Sequence, residues 1–202
     1  MKKMTILDRI LLLITGLLAA YEIGWGLGGL KGLPAWAYTI AFGVLLIAGL
    51  LLIILGFEPL ENPLVVIVST IIPLSLSTGL IAQYRPQWSG AYLAFAVIGF
   101  LVIVVTRYTT EGAAATIPLA VIHGIAGLTI FLLPIILSVK GETPGGFVWV
   151  GIGGALIGVG GLLLAFLKAG KPILSQKTIL TVLPGLLLLM AAAFVAGFAA
   201  VF

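Results

Sequence analysis

The stretch AWAYTIAFGVLLIAGLLLIILGF, residues 35–57, decides the fold: it contains no charged side chain, and its few polar atoms lie near its start. A helix rises about 1.5 Å per residue, so this segment is long enough to cross a hydrocarbon layer roughly 30 Å thick. A helix on the surface of a soluble domain needs a polar face, and this segment has none.

Six further stretches share this character: residues 8–30, 64–84, 88–107, 117–139, 146–168 and 178–202. Across the chain 62% of residues are hydrophobic and 8% charged, where a soluble domain carries about 25% charge. We therefore expect an all-α, polytopic membrane protein in which about seven transmembrane helices form one domain over residues 1–202. The start, Met1-Lys2-Lys3 followed by Ile10–Ala20, imitates a signal peptide. Asp8 is out of place in such a leader, however, and the apolar run continues to Leu30, so we read it as a first membrane helix.

The separators combine helix breakers with charge: Lys31-Gly32-Leu33-Pro34, Glu58 to Pro63, Tyr84-Arg85-Pro86-Gln87, Arg107 to Gly112, Lys140 to Pro144 and Lys168 to Pro172. Glycine and proline end helices through backbone geometry, and the charges fall at the same places. Pro118 suits the first turn of the fifth helix. Short loops make successive helices antiparallel neighbours. With the N-terminus inside, the inner segments hold Lys2, Lys3, Arg9, Arg107, Lys168, Lys171 and Lys177, and the outer ones Lys31, Arg85 and Lys140. Seven against three predicts a cytoplasmic N-terminus and an outside C-terminus. Trp25, Trp36, Trp88 and Trp149 all fall at the predicted outer ends, where indole rings favour the interface.

The chain also resembles itself. Gly16 matches Gly124, Lys31-Gly32 matches Lys140-Gly141, and Pro34 matches Pro144. Gly43 matches Gly154, Gly49 to Leu52 matches Gly161 to Leu164, and Thr70 to Pro73 matches Thr181 to Pro184. The expectation is two halves, 8–84 and 117–202, joined by helix 88–107. Partner helices lie four crossings apart, so the halves point the same way. This three-plus-one-plus-three plan resembles the SWEET sugar transporters in layout only. The Pro-Gln motif of that family is absent, the predicted orientation is opposite, and no residue role is carried over.

Candidates for chemistry are few. Glu22 lies about a dozen residues into the first predicted helix, roughly 18 Å from its inner boundary, where a carboxylate must be paired, hydrated or protonated. It is a candidate proton or cation site; its structural reading is an acid bonded inside the bundle or reaching headgroups. His123 is the partner to test. It sits about 9 Å deep by the same rise, some two turns short of Glu22, so a direct pair is not expected. Helix 3 carries Ser69, Thr70, Ser75, Ser77, Thr78 and Gln83 around Pro73, either to repair the backbone that proline interrupts or to line a path. Gly16, Ala20, Gly24, Gly28 and Gly32 recur every four residues, and Gly146, Val150, Gly154 and Gly158 nearly repeat the pattern. Small residues at that spacing let helices approach closely.

Enzyme chemistry has little to draw on. There is no Cys and a single His, which removes disulfides, thiolate metal sites and cysteine nucleophiles. Gly24 to Gly29 satisfies a dinucleotide-turn pattern but follows no strand. Glu58 and Glu61 share one short loop and read as solvated carboxylates. No catalytic residue, cofactor or metal is expected, and no basic run with interleaved aromatics suggests nucleic acid. The expected partners are the lipid bilayer and other membrane subunits or further copies of this chain. Composition favours a non-catalytic accessory subunit of a membrane assembly. The alternative is a small permease or channel, proton-coupled through Glu22, for a small or apolar solute.

Overall fold

A computed structural model describes residues 2–110, 112–168 and 173–202, and the last part of the expected break at 168–172 lies outside them. Among the described residues there are seven α-helices and no strand. They are α1 (Ile6–Tyr21), α2 (Gly32–Leu55), α3 (Pro63–Tyr84), α4 (Ser89–Thr109), α5 (Gly112–Val139), α6 (Val148–Lys168) and α7 (Gln176–Phe198). Six of these, all but α1, are long and apolar enough to cross a membrane. Large apolar side chains such as Leu17, Ile54, Ile98, Leu128, Leu162 and Leu189 stand exposed around the outside. In water such a surface would aggregate; against lipid it is an ordinary boundary.

The ends of the helices follow local chemistry. Thr5 caps α1 through a reciprocal box: its hydroxyl accepts from the Asp8 N–H at 3.2 Å, while its own N–H donates to Asp8 Oδ2 at 2.8 Å. Asn62 and Ser175 cap α3 and α7 with single bonds, their side-chain oxygens accepting from the Leu64 and Thr178 N–H groups and satisfying donors that a helix start leaves free. Gly56 and Gly141 take left-handed φ values of 75° and 70° just after α2 and α5, a conformation side-chain-bearing residues resist.

Two boundaries differ from expectation. The first helix does not run regularly to residue 30; it widens into a π turn over Glu22–Gly26 and then leaves helical geometry. α5 begins at Gly112, so Pro118 sits well inside the helix rather than in its first turn. Ala113 to Ala115 propagate helix well, and the Thr116 hydroxyl donates to the Gly112 carbonyl at 2.8 Å.

The packing is a closed ring. α1 lies against α2, α2 against α3, α3 against α5, α5 against α6, α6 against α7, and α7 returns to α1. α4 stands outside, on the α3–α5 seam, with its own small core of Ile67, Leu74, Ala96, Ile103, Ile122 and Ala126. The main core fills the middle of the ring with residues from all six ring helices, including Ala19, Phe42, Leu80, Ile130, Val150 and Phe194.

Glycine lets α6 sit deep between its neighbours. A Cβ on Gly154 would lie 2.7 Å from the Ile130 side chain and 3.0 Å from Phe131 N, and one on Gly151 would lie 2.6 Å from Phe131 O. On the other flank, a Cβ on Gly197 of α7 would meet Val150 N at 2.5 Å. The backbones therefore approach too closely for any larger residue.

Candidate functional site at the core of the ring

The site is built around the π turn. Leu27 N–H donates to the Glu22 carbonyl at 3.1 Å, closing a loop one residue wider than an α turn. Glu22 falls one turn beyond the buried Ala19, so its side chain continues the inward face of α1. Gly26 follows one turn later, and a Cβ there would clash with the Glu22 carboxyl group, 2.5 Å from its Cδ and 2.7 Å from Oε1. The acid thus lies along a glycine backbone, in a space only glycine leaves open.

Glu22 is completely buried, and neither carboxyl oxygen has a hydrogen-bond partner. An isolated charge in such surroundings costs several kcal/mol or more. The setting accommodates the neutral acid, or a carboxylate with a cation beside it. Among the described residues no lysine or arginine is buried, and the other buried carboxylate, Asp8, lies at the opposite end of α1.

The π turn packs against α2 and α7, which supply an aromatic cluster. Phe198 is its hub, with Tyr38, Phe42, Phe147, Phe194 and Phe202 at centroid distances of 4.9, 5.9, 6.3, 6.5 and 5.9 Å. Tyr84 extends it through Phe147 at 5.1 Å. Tyr38 is fully buried, and its hydroxyl donates to Gln83 Oε1 at 2.9 Å, while Gln83 Nε2 donates to the Tyr84 hydroxyl at 3.1 Å. Ala19 and Leu27, on either side of Glu22, belong to the same core as Tyr38, Phe42, Phe194 and Phe198.

Polar ties close both ends of the ring. At the N-terminal end, Lys2 Nζ bonds both Asp8 oxygens at 2.9 and 2.8 Å, reaches the Leu180 carbonyl at 3.4 Å, and lies 5.3 Å from the Phe57 ring centroid. At the other end Arg85 grips Glu142 with two bonds, 2.9 and 3.2 Å. Hydrogen bonding from Arg85 holds the Glu142 carboxyl below its ordinary value of 4.5.

The remaining candidates lie elsewhere. His123 is half-buried in α5, and its Nδ1 is 3.2 Å from the Leu119 carbonyl. It lies beside Ile122 of the small α3–α4–α5 core, not beside Glu22. In α3 the hydroxyls donate to their own helix: Ser69 and Thr70 to Val66, Ser77 to Pro73 and Leu74, Thr78 to Leu74. Thr70, Pro73 and Ser77 are buried and Ser69 is exposed. Gly16 is buried, and a Cβ there would touch Leu46 at 3.4 Å. Ala20, Gly24 and Gly28 point outward, and nothing lies within 4 Å of a Cβ placed on Gly24. Gly154 packs on α5, whereas Gly158 meets nothing. Glu58 lies in a 3-10 turn, Glu58–Glu61, and the Glu61 side chain is outside the described residues.

Sequence reasoning singled out Glu22 but not its glycine seat, the aromatic hub or the two end ties. The run of glycines after Glu22 was the available signal for an irregular turn. The ion pairs join residues far apart in the chain and leave no local trace. Searched against protein-family models, curated proteins and solved structures, the chain matches none, so the likeness of plan to the SWEET transporters gains no support there.

Proposed function

We propose that this chain is a seven-span, non-catalytic membrane permease, proton-coupled through Glu22, with its N-terminus cytoplasmic and its C-terminus outside. The observation that carries the reading is the wholly buried, unpartnered Glu22 carboxyl at a π turn, since such turns concentrate at functional sites. An acid used only for packing would be replaceable by an apolar residue at lower cost. A subunit in another chain could not reach it, because the ring already covers it. Including the π turn, Ile6–Gly26 is about 30 Å long at 1.5 Å per residue, enough for the seventh span.

The two-half organisation belongs to the same proposal. Exchanging α1, α2, α3 with α5, α6, α7 leaves the order of neighbours around the ring unchanged. Gly32 and Gly141, matched by the internal repeat, share left-handed φ values of 67° and 70°. Pro73 and Pro184 both sit buried inside their helices. The four tryptophans are all exposed at the end of the bundle opposite the N-terminus, in keeping with one interfacial level.

The test is proton flux into liposomes holding the purified chain, with a pH-sensitive dye inside and an imposed potential. Glu22→Gln keeps the side-chain shape and removes the titrating proton, and should bring flux to the protein-free background. Equal flux in parent and variant, or none in either, overturns the reading. A second reading, an accessory subunit, is favoured by the outward Ala20, Gly24 and Gly28 face. Its mark would be loss of a co-purifying membrane protein, or of a homo-oligomer, on Gly24→Leu without loss of the folded chain.

A further inference from the structure

The two halves of the ring, α1–α3 and α5–α7, meet along two seams: α1 against α7, and α3 against α5. Among the described residues, a polar tie crosses each seam at one face only. Lys2 spans the first at the N-terminal face, joining Asp8 of α1 to the Leu180 carbonyl of α7. Beneath it, Phe57, Leu180 and Leu183 form a buried cluster with Met4, Leu60 and Leu164, drawn from both halves. Arg85 spans the second at the opposite face, joining the end of α3 to the turn after α5. Tyr84 and Phe147 pack behind it as a tilted ring pair, again one from each half.

We infer that these two ties are the gates of the permease, one for each membrane face, and that they hold Glu22 in an occluded state between them. The inference rests on the carrier reading above for its purpose, but its geometry is separate. Releasing Arg85 from Glu142 would let the halves part at the face opposite the N-terminus while Lys2 still pins the other face. Releasing Lys2 would do the converse. Glu22, buried between the two, would meet water from one face at a time.

The ties suit opening and reclosing. Arg85 and Glu142 side chains are 30% and 40% exposed, so water competes for both partners and the pair is only modestly stable, although its two-bond geometry is directional. Lys2 and Asp8 are 13% and 6% exposed, and that tie is the tighter gate. Residues 2–5 are not helical, and Lys2 and Met4 reach Phe57 and α7 through their side chains.

The chain contains no cysteine, so one introduced thiol reports without background. Ala19→Cys places it one turn from Glu22 in the closed core. Its rate of labelling by a membrane-impermeant thiol reagent is measured in vesicles of each orientation. The parent should label slowly from both faces. Arg85→Glu should raise the rate about fivefold, the effect of a partly exposed ion pair on a two-state balance, from the face opposite the N-terminus alone. Lys2→Glu should raise it from the N-terminal face alone. Combining Arg85→Glu with Glu142→Arg should return the slow rate. Acceleration from neither face, from both faces equally, or without recovery in the swapped pair overturns the proposal. If a charge reversal prevents assembly, Arg85→Gln and Lys2→Gln remove the same bonds more gently and carry the same predictions. One-sided labelling with unchanged proton flux in Glu22→Gln would retain the gates and remove the carrier reading; the reverse pattern would remove the gates alone.

Discussion

At the scale of single residues, the position next to Glu22 in space is Gly26. A methyl group there would occupy the volume of the carboxyl, so Gly26→Ala must turn the acid out of its seat. We expect the variant to lose about 1–3 kcal/mol of stability from overpacking, partly offset by the better helix propensity of alanine. Glu22 should then react with a water-soluble carbodiimide that leaves the parent untouched, with mass spectrometry of the modified peptide as the readout. Glu22→Gln, by contrast, should melt within about 1 kcal/mol of the parent, because neither carboxyl oxygen has a bond to lose. The acid itself was legible, since a charge amid apolar residues needs no structure to be noticed. Its seat was not. Four glycines follow Glu22 within seven residues, and which of them faces the acid depends on the width of the turn, which hydropathy does not register.

At the scale of helices, close approach is carried by Gly151, Gly154 and Gly197 rather than by the stripe on the first helix. Gly154→Ala should cost about 1–3 kcal/mol, because the α5 backbone at Ile130 and Phe131 would have to retreat. Gly158→Ala and Gly24→Ala, where an added Cβ meets nothing, should leave thermal unfolding in detergent unchanged or slightly raised. Seven helices were legible because proline, glycine and charge fall at the same breaks. The end of α1 and the start of α5 were misjudged for opposite reasons. A π turn keeps its hydropathy while changing its geometry, and a proline inside a membrane helix is tolerated where nearby groups repair the backbone. A spacing of four shows that Ala20, Gly24 and Gly28 share a face, and says nothing of what lies opposite it.

At the scale of the whole molecule, the ring is locked at its centre by Phe198, in contact with five other aromatic rings. Phe198→Ala should cost about 3–5 kcal/mol and expose the core to labelling, while Phe202→Ala, at a partly exposed ring, should cost much less. The tie at the far face responds to acid. Glu142 faces Arg85 and Lys140, and its bond from Arg85 lowers its pKa below 4.5. Stabilisation from a lowered carboxyl is complete above that value and is lost as pH falls through the lowered one. Labelling of Ala19→Cys from that face should therefore accelerate only in the acid range below about pH 4.5, and the dependence should vanish in Glu142→Gln. The ring closure was the part least open to sequence reasoning: loop lengths fix which helices are successive, but only packing brings α7 back to α1 and moves α4 aside.

That displaced helix has a consequence for parity. On the proposed seven-span reading, α4 adds one crossing between two units of three, and that single crossing would make the second unit enter the bilayer with the same polarity as the first. Excise it from one continuous polypeptide and α5–α7 would be threaded upside down, with no ring to complete. Express the two triplets as separate polypeptides, each free to insert by its own signals, and the tether becomes dispensable, leaving reassembly to the seams alone.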